Sequence, residues 1–98
     1  MYGTIARIHP RPDRMEELRA LGGTMMTGDT PAGYRGSWFF LPDLNPYDRP
    51  TMFLVAMFDD EATYRANANS PEQDALYRQL RELLEDDPDW TDGTFLGG

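Results

Sequence analysis

Few groups in this sequence could do chemistry. Among 98 residues there is no cysteine and one histidine, so thiol nucleophiles, thiolate metal sites and disulfides drop out at once. His9 has no identifiable partner, and Ser37 and Ser70 have no visible base, so triad logic fails for all three. The imidazole reads as an exposed or locally hydrogen-bonded strand-end group. Carboxylates are more plentiful. Asp86, Asp87, Asp89 and Asp92 offer oxygen ligands, but the EF-hand spacing and its terminal glutamate are missing. A solvated acidic turn is expected there, and no metal. Asp59, Asp60 and Glu61 follow an apolar run directly, where capping and the helix dipole account for them without an acid/base role. There is no G-x-S-x-G elbow, P-loop or G-x-G-x-x-G, so hydrolase and nucleotide-binding readings have no residues to rest on.

The elements that must position any site belong to a small chain. A length of 98 residues fits one domain spanning 1–98. Hydrophobic residues make up 40% and aromatics 12%, a globular mixture despite a mean hydropathy of −0.63. Nine basic against seventeen acidic side chains leave a formal charge of −8, which argues against an electrostatic grip on nucleic acid or on an anionic membrane. The N-terminal MYGTIARIHPRP has no apolar h-region and no stretch approaches a membrane span. A cytoplasmic location is the default expectation.

Pattern and turn chemistry predict the elements. A first strand covers Tyr2–His9 and stops at Pro10. A helix starts near Arg14 with Asp13 as cap, carries the stripe Met15, Leu18 and Leu21, and continues weakly past Gly22 and Gly23 through Met25 and Met26. Thr27–Gly33 is a loop, Tyr34–Leu41 a second strand, and Thr51–Phe58 a third, antiparallel to the second. A helix from the acidic run to about Asn69 is broken and restarted by Ser70 as cap, Pro71 at the first position and Gln73 reaching back. Leu76, Leu80, Leu83 and Leu84 then form one apolar face with Tyr77 at its border, and Trp90–Leu96 gives a last short strand. The order is β-α-β-β-α-β, an α+β arrangement.

The third strand, TMFLVAMF, is apolar on both sides, and Trp38, Phe39, Phe40 and Leu41 repeat this in the second. Helices that connect strands of one sheet cover one face and leave the other as an apolar patch too large for most soluble monomers. A homodimer packed sheet to sheet is expected. Hiding about 600 Å² of apolar surface would contribute on the order of 15 kcal/mol before association costs.

The strand order, the ARI of residues 6–8, GYRGSWFF, the FDDEATYRANANSPE of residues 58–72 and the late Thr91-Asp92-Gly93 together resemble the antibiotic biosynthesis monooxygenase-like family of dimeric α+β barrels. The likeness spans nearly the whole chain, and its most specific piece is the acidic strand-to-helix turn followed by an aromatic residue and then Ser70-Pro71. It implies a ferredoxin-like βαββαβ fold with an antiparallel sheet. The family includes cofactor-independent monooxygenases of phenolic polyketides, haem-degrading enzymes and proteins of unassigned role, so fold does not settle function.

The haem-degrading branch uses an Asn in the first strand, a Trp ending the third and a His on the next helix; Ala6, Phe58 and Asn67 stand at the matching positions. Loss of that His removes the proximal iron ligand, and no cofactor is expected. The monooxygenase branch implies a hydrophobic pocket between sheet and helices in which the substrate's own phenolate reduces dioxygen. Trp38 or Phe40, Phe58 and Tyr77 would line it and bind substrate, with Tyr64 and Asn67 as catalytic groups three residues apart. Asn67 would hold a substrate oxygen. The alternative is that these aromatics are ordinary core and that Asn67 and Asn69 fray or cap the helix before Ser70.

Three functions follow from these readings. The first is an oxygenase of a small aromatic or polyketide-like molecule. The second is a noncatalytic ligand-binding or stress-associated barrel, and the third a purely structural interaction module whose pocket is filled by its own side chains.

Overall fold

A computed structural model describes residues 1–25 and 31–97. β1 (Tyr2–Ile8) leads through a single 3-10 turn, Pro12–Arg14, into α1 (Met15–Met25). β2 (Tyr34–Phe40), β3 (Met52–Phe58), α2 (Glu61–Ala68), α3 (Pro71–Glu82) and β4 (Asp89–Thr94) follow. The strands form one antiparallel sheet in the order β2-β3-β1-β4. This is the ferredoxin-like α+β fold expected from the sequence.

Strand alternation sorts the sheet into two faces. Ala6, Ile8, Met52 and Leu54 point inward and close a core with Leu18 and Leu21 of α1, with Leu80 of α3 and with Leu83 and Leu84 just beyond it. Ile5, Trp38 and Phe40 point the other way and are 42%, 47% and 56% exposed. No helix of the described residues is long and apolar enough to cross a membrane.

Several local details differ from the sequence reading. Asp13 does not cap α1, because Pro12 starts the 3-10 turn and holds Asp13 inside it; Glu16 and Glu17 supply the acidic first turn instead. The helix does continue past Gly22 to Met25. Met26 and most of the loop predicted over Thr27–Gly33, namely residues 26–30, lie outside the described residues. Ser70 accepts from the Gln73 backbone N–H at 3.1 Å, but the Gln73 side chain does not reach back; its Oε1 accepts from Asn67 Nδ2 at 3.3 Å. β4 ends at Thr94, and Leu96 is 91% exposed.

The break between α2 and α3 follows from their caps. Asp60 Oδ1 accepts from the Thr63 N–H at 2.8 Å while the Thr63 hydroxyl sits 3.4 Å from the Asp60 N–H, a reciprocal capping box. The backbone bond from Thr63 holds the Asp60 carboxyl below its ordinary range. Pro71 at the start of α3 has no N–H to give to a helix arriving from α2, so it begins a new one.

Candidate functional site

The inner face of the sheet is laid out in rows that cross all four strands. Phe39, Leu54, Ala6 and Trp90 form one row, and Tyr34, Phe58, Tyr2 and Thr94 form another. Between them runs Ser37, Ala56, Thr4 and Asp92. Three of these four side chains are too short to reach the helix layer above. A cavity of about 660 Å³ results, roofed by Tyr64, Asn67 and Ala68 of α2 and by Gln73, Leu76 and Tyr77 of α3. That volume lies within the range of roughly 300–1,000 Å³ found for small-molecule sites.

A bulge sets the β2 side of this cavity. Tyr34 pairs with Phe58 and Gly36 with Met57, so Arg35 is the extra residue and the alternation changes phase. Gly36 takes a φ of 145° there, a backbone open to glycine and strained for other residues. Tyr34 and Ser37, three apart, therefore both face inward, and the Tyr34 hydroxyl donates to Ser37 Oγ at 2.8 Å. Phe58, 2% exposed, packs edge-on against Tyr34 at 5.5 Å and against Tyr64 at 5.8 Å between ring centroids. On the other side Tyr77 and Trp90 meet at 6.2 Å.

The polar corner of the cavity lies where α2 meets β4. Tyr64 donates its hydroxyl to Asp92 Oδ1 at 2.9 Å, and Arg65 donates to Asp92 Oδ2 at 3.0 Å and to the Tyr2 hydroxyl at 3.0 Å. The Thr4 hydroxyl beside them donates to the Thr91 carbonyl at 3.2 Å. Burial, reinforced by the bond to Asp92, pushes the Tyr64 phenol up to about 12. Burial also pushes the Asp92 carboxyl up, but the Tyr64 hydroxyl and the Arg65 guanidinium favour its ionised form, and the net shift is downward. At neutral pH the pair is thus a neutral phenol on an ionised carboxylate.

Four of the residues singled out in the sequence, Phe58, Tyr64, Asn67 and Tyr77, line this one cavity. Trp38 and Phe40 do not. They pair with Val55 and Phe53 on the opposite face of the sheet, because the residue that β2 turns inward between Trp38 and the bulge is Ser37. Sequence reading gave no place in the cavity to Thr4, Ala56 or Trp90, weighed Ser37 only as a nucleophile, and took Asp92 as a possible calcium ligand and as part of the family motif. The available signal was register: once β1 is set between β3 and β4, Thr4 must lie between Ala56 and Asp92.

The remaining candidates take structural places. Asp86, Asp87, Asp89 and Asp92 each turn to a different arginine: Arg49 at 2.7 Å, Arg81 at 2.7 Å, Arg7 at 3.0 Å and Arg65 at 3.0 Å. The turn is ion-paired rather than merely solvated, and the described residues contain no cluster of three side chains suited to a metal. Asp59 is bound by Arg35. His9, 7% exposed, lies outside the cavity with Nδ1 3.1 Å from Thr51 Oγ1 and 3.3 Å from the Pro50 carbonyl. The Thr51 hydroxyl already donates to the Arg49 carbonyl at 3.0 Å, so Nδ1 carries the proton and donates.

Comparison with known proteins gives a consistent picture. No protein-family model and no curated protein matches the chain, whereas solved structures match along nearly its whole length. Rv0793 from Mycobacterium tuberculosis is 26% identical, with 99% of this chain and 96% of that one covered at a TM-score of 0.77. A protein from Bordetella bronchiseptica, provisionally named an antibiotic biosynthesis monooxygenase, is 14% identical over 97% and 96% of the two chains at a TM-score of 0.76. A dimeric ferredoxin-like protein of unknown function from Thermobifida fusca is 16% identical over 96% and 90% at 0.72. The chain has the ferredoxin-like α+β fold of structures that carry the antibiotic biosynthesis monooxygenase name, which supports the family resemblance read from its sequence.

Proposed function

We propose that the cavity under α2 binds a small aromatic or polyketide-like molecule and that the protein, as a homodimer, is a cofactor-independent monooxygenase of that molecule. The observation that carries this reading is the row of short side chains, Ser37, Ala56 and Thr4, which leaves about 660 Å³ between walls built of Phe58, Tyr34, Tyr77 and Trp90. Aromatic walls around a preformed space favour a flat, electron-rich ligand.

The family resemblance supplies the reaction. A phenol loses its proton, and the activated carbon conjugated to it takes up dioxygen as a hydroperoxide. Loss of water then leaves a carbonyl, with one oxygen atom in the product and the other in water. The electrons come from the substrate, so the protein has to exclude water, orient the ring and hold a substrate oxygen. Asn67 is our candidate for the last task; its position in the cavity lining and a 3.3 Å bond to Gln73, long enough to be exchanged for one to a ligand, support that role. Tyr64, oriented by Asp92, presents its ring to the bound molecule.

A second reading, binding without chemistry, is favoured by one observation. The Tyr64 hydroxyl proton is held by Asp92 at 2.9 Å, so it is not free to be donated to a developing peroxide. Oxygen uptake with anthrone and hydroquinone-like substrates separates the two. Turnover that falls in Asn67→Ala supports the oxygenase, and turnover unchanged in both Asn67→Ala and Tyr64→Phe removes these residues from the mechanism. Tight binding with the ligand recovered unaltered supports the second reading.

The dimer rests on the outer sheet face, where exposed Trp38, Phe40 and Ile5 adjoin Phe53, Val55 and Met57. Trp38 lies across Gly36, its ring carbons within 2.7–3.3 Å of where a Cβ would stand, so the indole makes a broad, flat apolar surface. Sedimentation should give a dimer at micromolar concentration; a monomer there contradicts it.

A further inference from the structure

Resting on the reading of the cavity as an aromatic-ligand site, we infer that its ligand carries a protonated amine and that Glu72 selects it. The charged residues lining the cavity are Glu72, Asp74 and Asp92, and none of its described lining residues is basic. Arg65, next to Tyr64, does not line it; its guanidinium is taken by Asp92 and Tyr2 at 3.0 Å and by Glu61 at 3.8 Å. Asp74 is paired with Arg78 at 3.0 Å. Glu72 is left as the lining carboxylate without an ion pair among the described residues. Its place in the first turn of α3 suits the helix dipole, and the same place sets an exposed carboxylate, without an ion pair among the described residues, on the cavity rim.

The hydrogen-bonding groups point the same way. Tyr64 gives its proton to Asp92 and Tyr34 gives its proton to Ser37, so both phenol oxygens have only lone pairs left for a ligand. Ser37, Asn67, Gln73 and Trp90 can still donate to neutral oxygens, but every formal charge among the described lining residues is a carboxylate. A ligand whose only charge is negative would meet like charge with no cation among the described lining residues, whereas a phenolate formed in a ligand that carries an ammonium group leaves that ligand neutral overall. An ammonium group would meet carboxylate, acceptor oxygens and the faces of Tyr77 and Trp90, which attract cations through their quadrupoles.

Three probes that share one ring system test this: 2-naphthylmethylamine, 2-naphthylmethanol and 2-naphthoic acid, titrated calorimetrically into the full chain at pH 7. The amine should bind about fivefold more tightly than the alcohol, and the acid more weakly than either. In Glu72→Gln the advantage of the amine over the alcohol should fall to about twofold or less, while Asp43→Asn, which removes a charge elsewhere on the surface, should keep it. Circular dichroism checks that α3 persists in Glu72→Gln. Amine and alcohol binding equally well, the acid binding best, or the advantage surviving Glu72→Gln would each overturn the inference while leaving the aromatic site standing. Failure of all three probes to bind would overturn that site as well.

Discussion

The two ends of the helix-covered face are built on opposite principles. Toward α1, Ala6, Ile8, Met52 and Leu54 meet Leu18, Leu80, Leu83 and Leu84, each under 10% exposed, and the hollow beside them, between Arg14, Glu17, Leu21, Glu82 and Leu83, is smaller, about 300 Å³. Toward α2, the same two central strands present Thr4 and Ala56 and the edge strand β2 presents Ser37, and the space is not filled. One sheet thus supplies a packed end that holds the fold and a hollow end that has given up packing. The site is made by leaving volume out between large aromatic side chains, and its rigidity comes from the neighbouring core.

Substitutions at the two ends should therefore have separable effects. Leu84→Ala, at a fully buried position of the packed end, should cost about 2–5 kcal/mol in urea unfolding, because the cavity it opens cannot collapse between two layers. A cost below about 1 kcal/mol would mean that the packed end is not the source of stability. At the hollow end, Tyr64→Phe removes one hydroxyl from Asp92 and leaves Arg65 in place. It should cost only about 1 kcal/mol and raise the Asp92 carboxyl toward 3.8, its ordinary value, as read by NMR titration. An unmoved Asp92 would mean that the phenol does not hold it.

The smallest effect is that of pH on the same pair. The Tyr64 phenol is raised from 10.0 to about 12, so the fold favours its protonated form. Its contribution is complete below pH 10 and is lost as pH rises through about 12. Asp92 is lowered from 3.8, so the fold favours its ionised form; that contribution is complete above this value and is lost as pH falls through the depressed one. Absorbance at the phenolate band should show one tyrosine titrating late, and Tyr64→Phe should abolish that late phase. If the late phase persists in Tyr64→Phe, it belongs to another tyrosine.

Most of the fold was legible because its signals are local. Pro10, Pro42, the acidic run at residues 59–61 and Ser70-Pro71 mark element ends by backbone chemistry that needs no tertiary context. The face on which a residue sits was legible for α3, where the leucines recur every three or four positions. It was not legible for β2, where Trp38, Phe39 and Phe40 are apolar on both sides and a bulge at Arg35 shifts the phase, so Trp38 and Phe40 were assigned to the wrong face. The family resemblance points to Tyr64 and Asn67, and their three-residue spacing puts both on one side of a helix. The part of Asp92 was not legible, since it depends on the pairing of β4 with β1, which sets Asp92 opposite Thr4 from the far end of the chain.

The central claim, that the hollow end is a ligand site because its floor is short, is tested most directly by Ala56→Leu. Titrated with 2-naphthol, the native chain should bind, and the variant should bind at least about tenfold more weakly while its unfolding free energy changes by less than about 1.5 kcal/mol. Equal affinity in the two chains would contradict it.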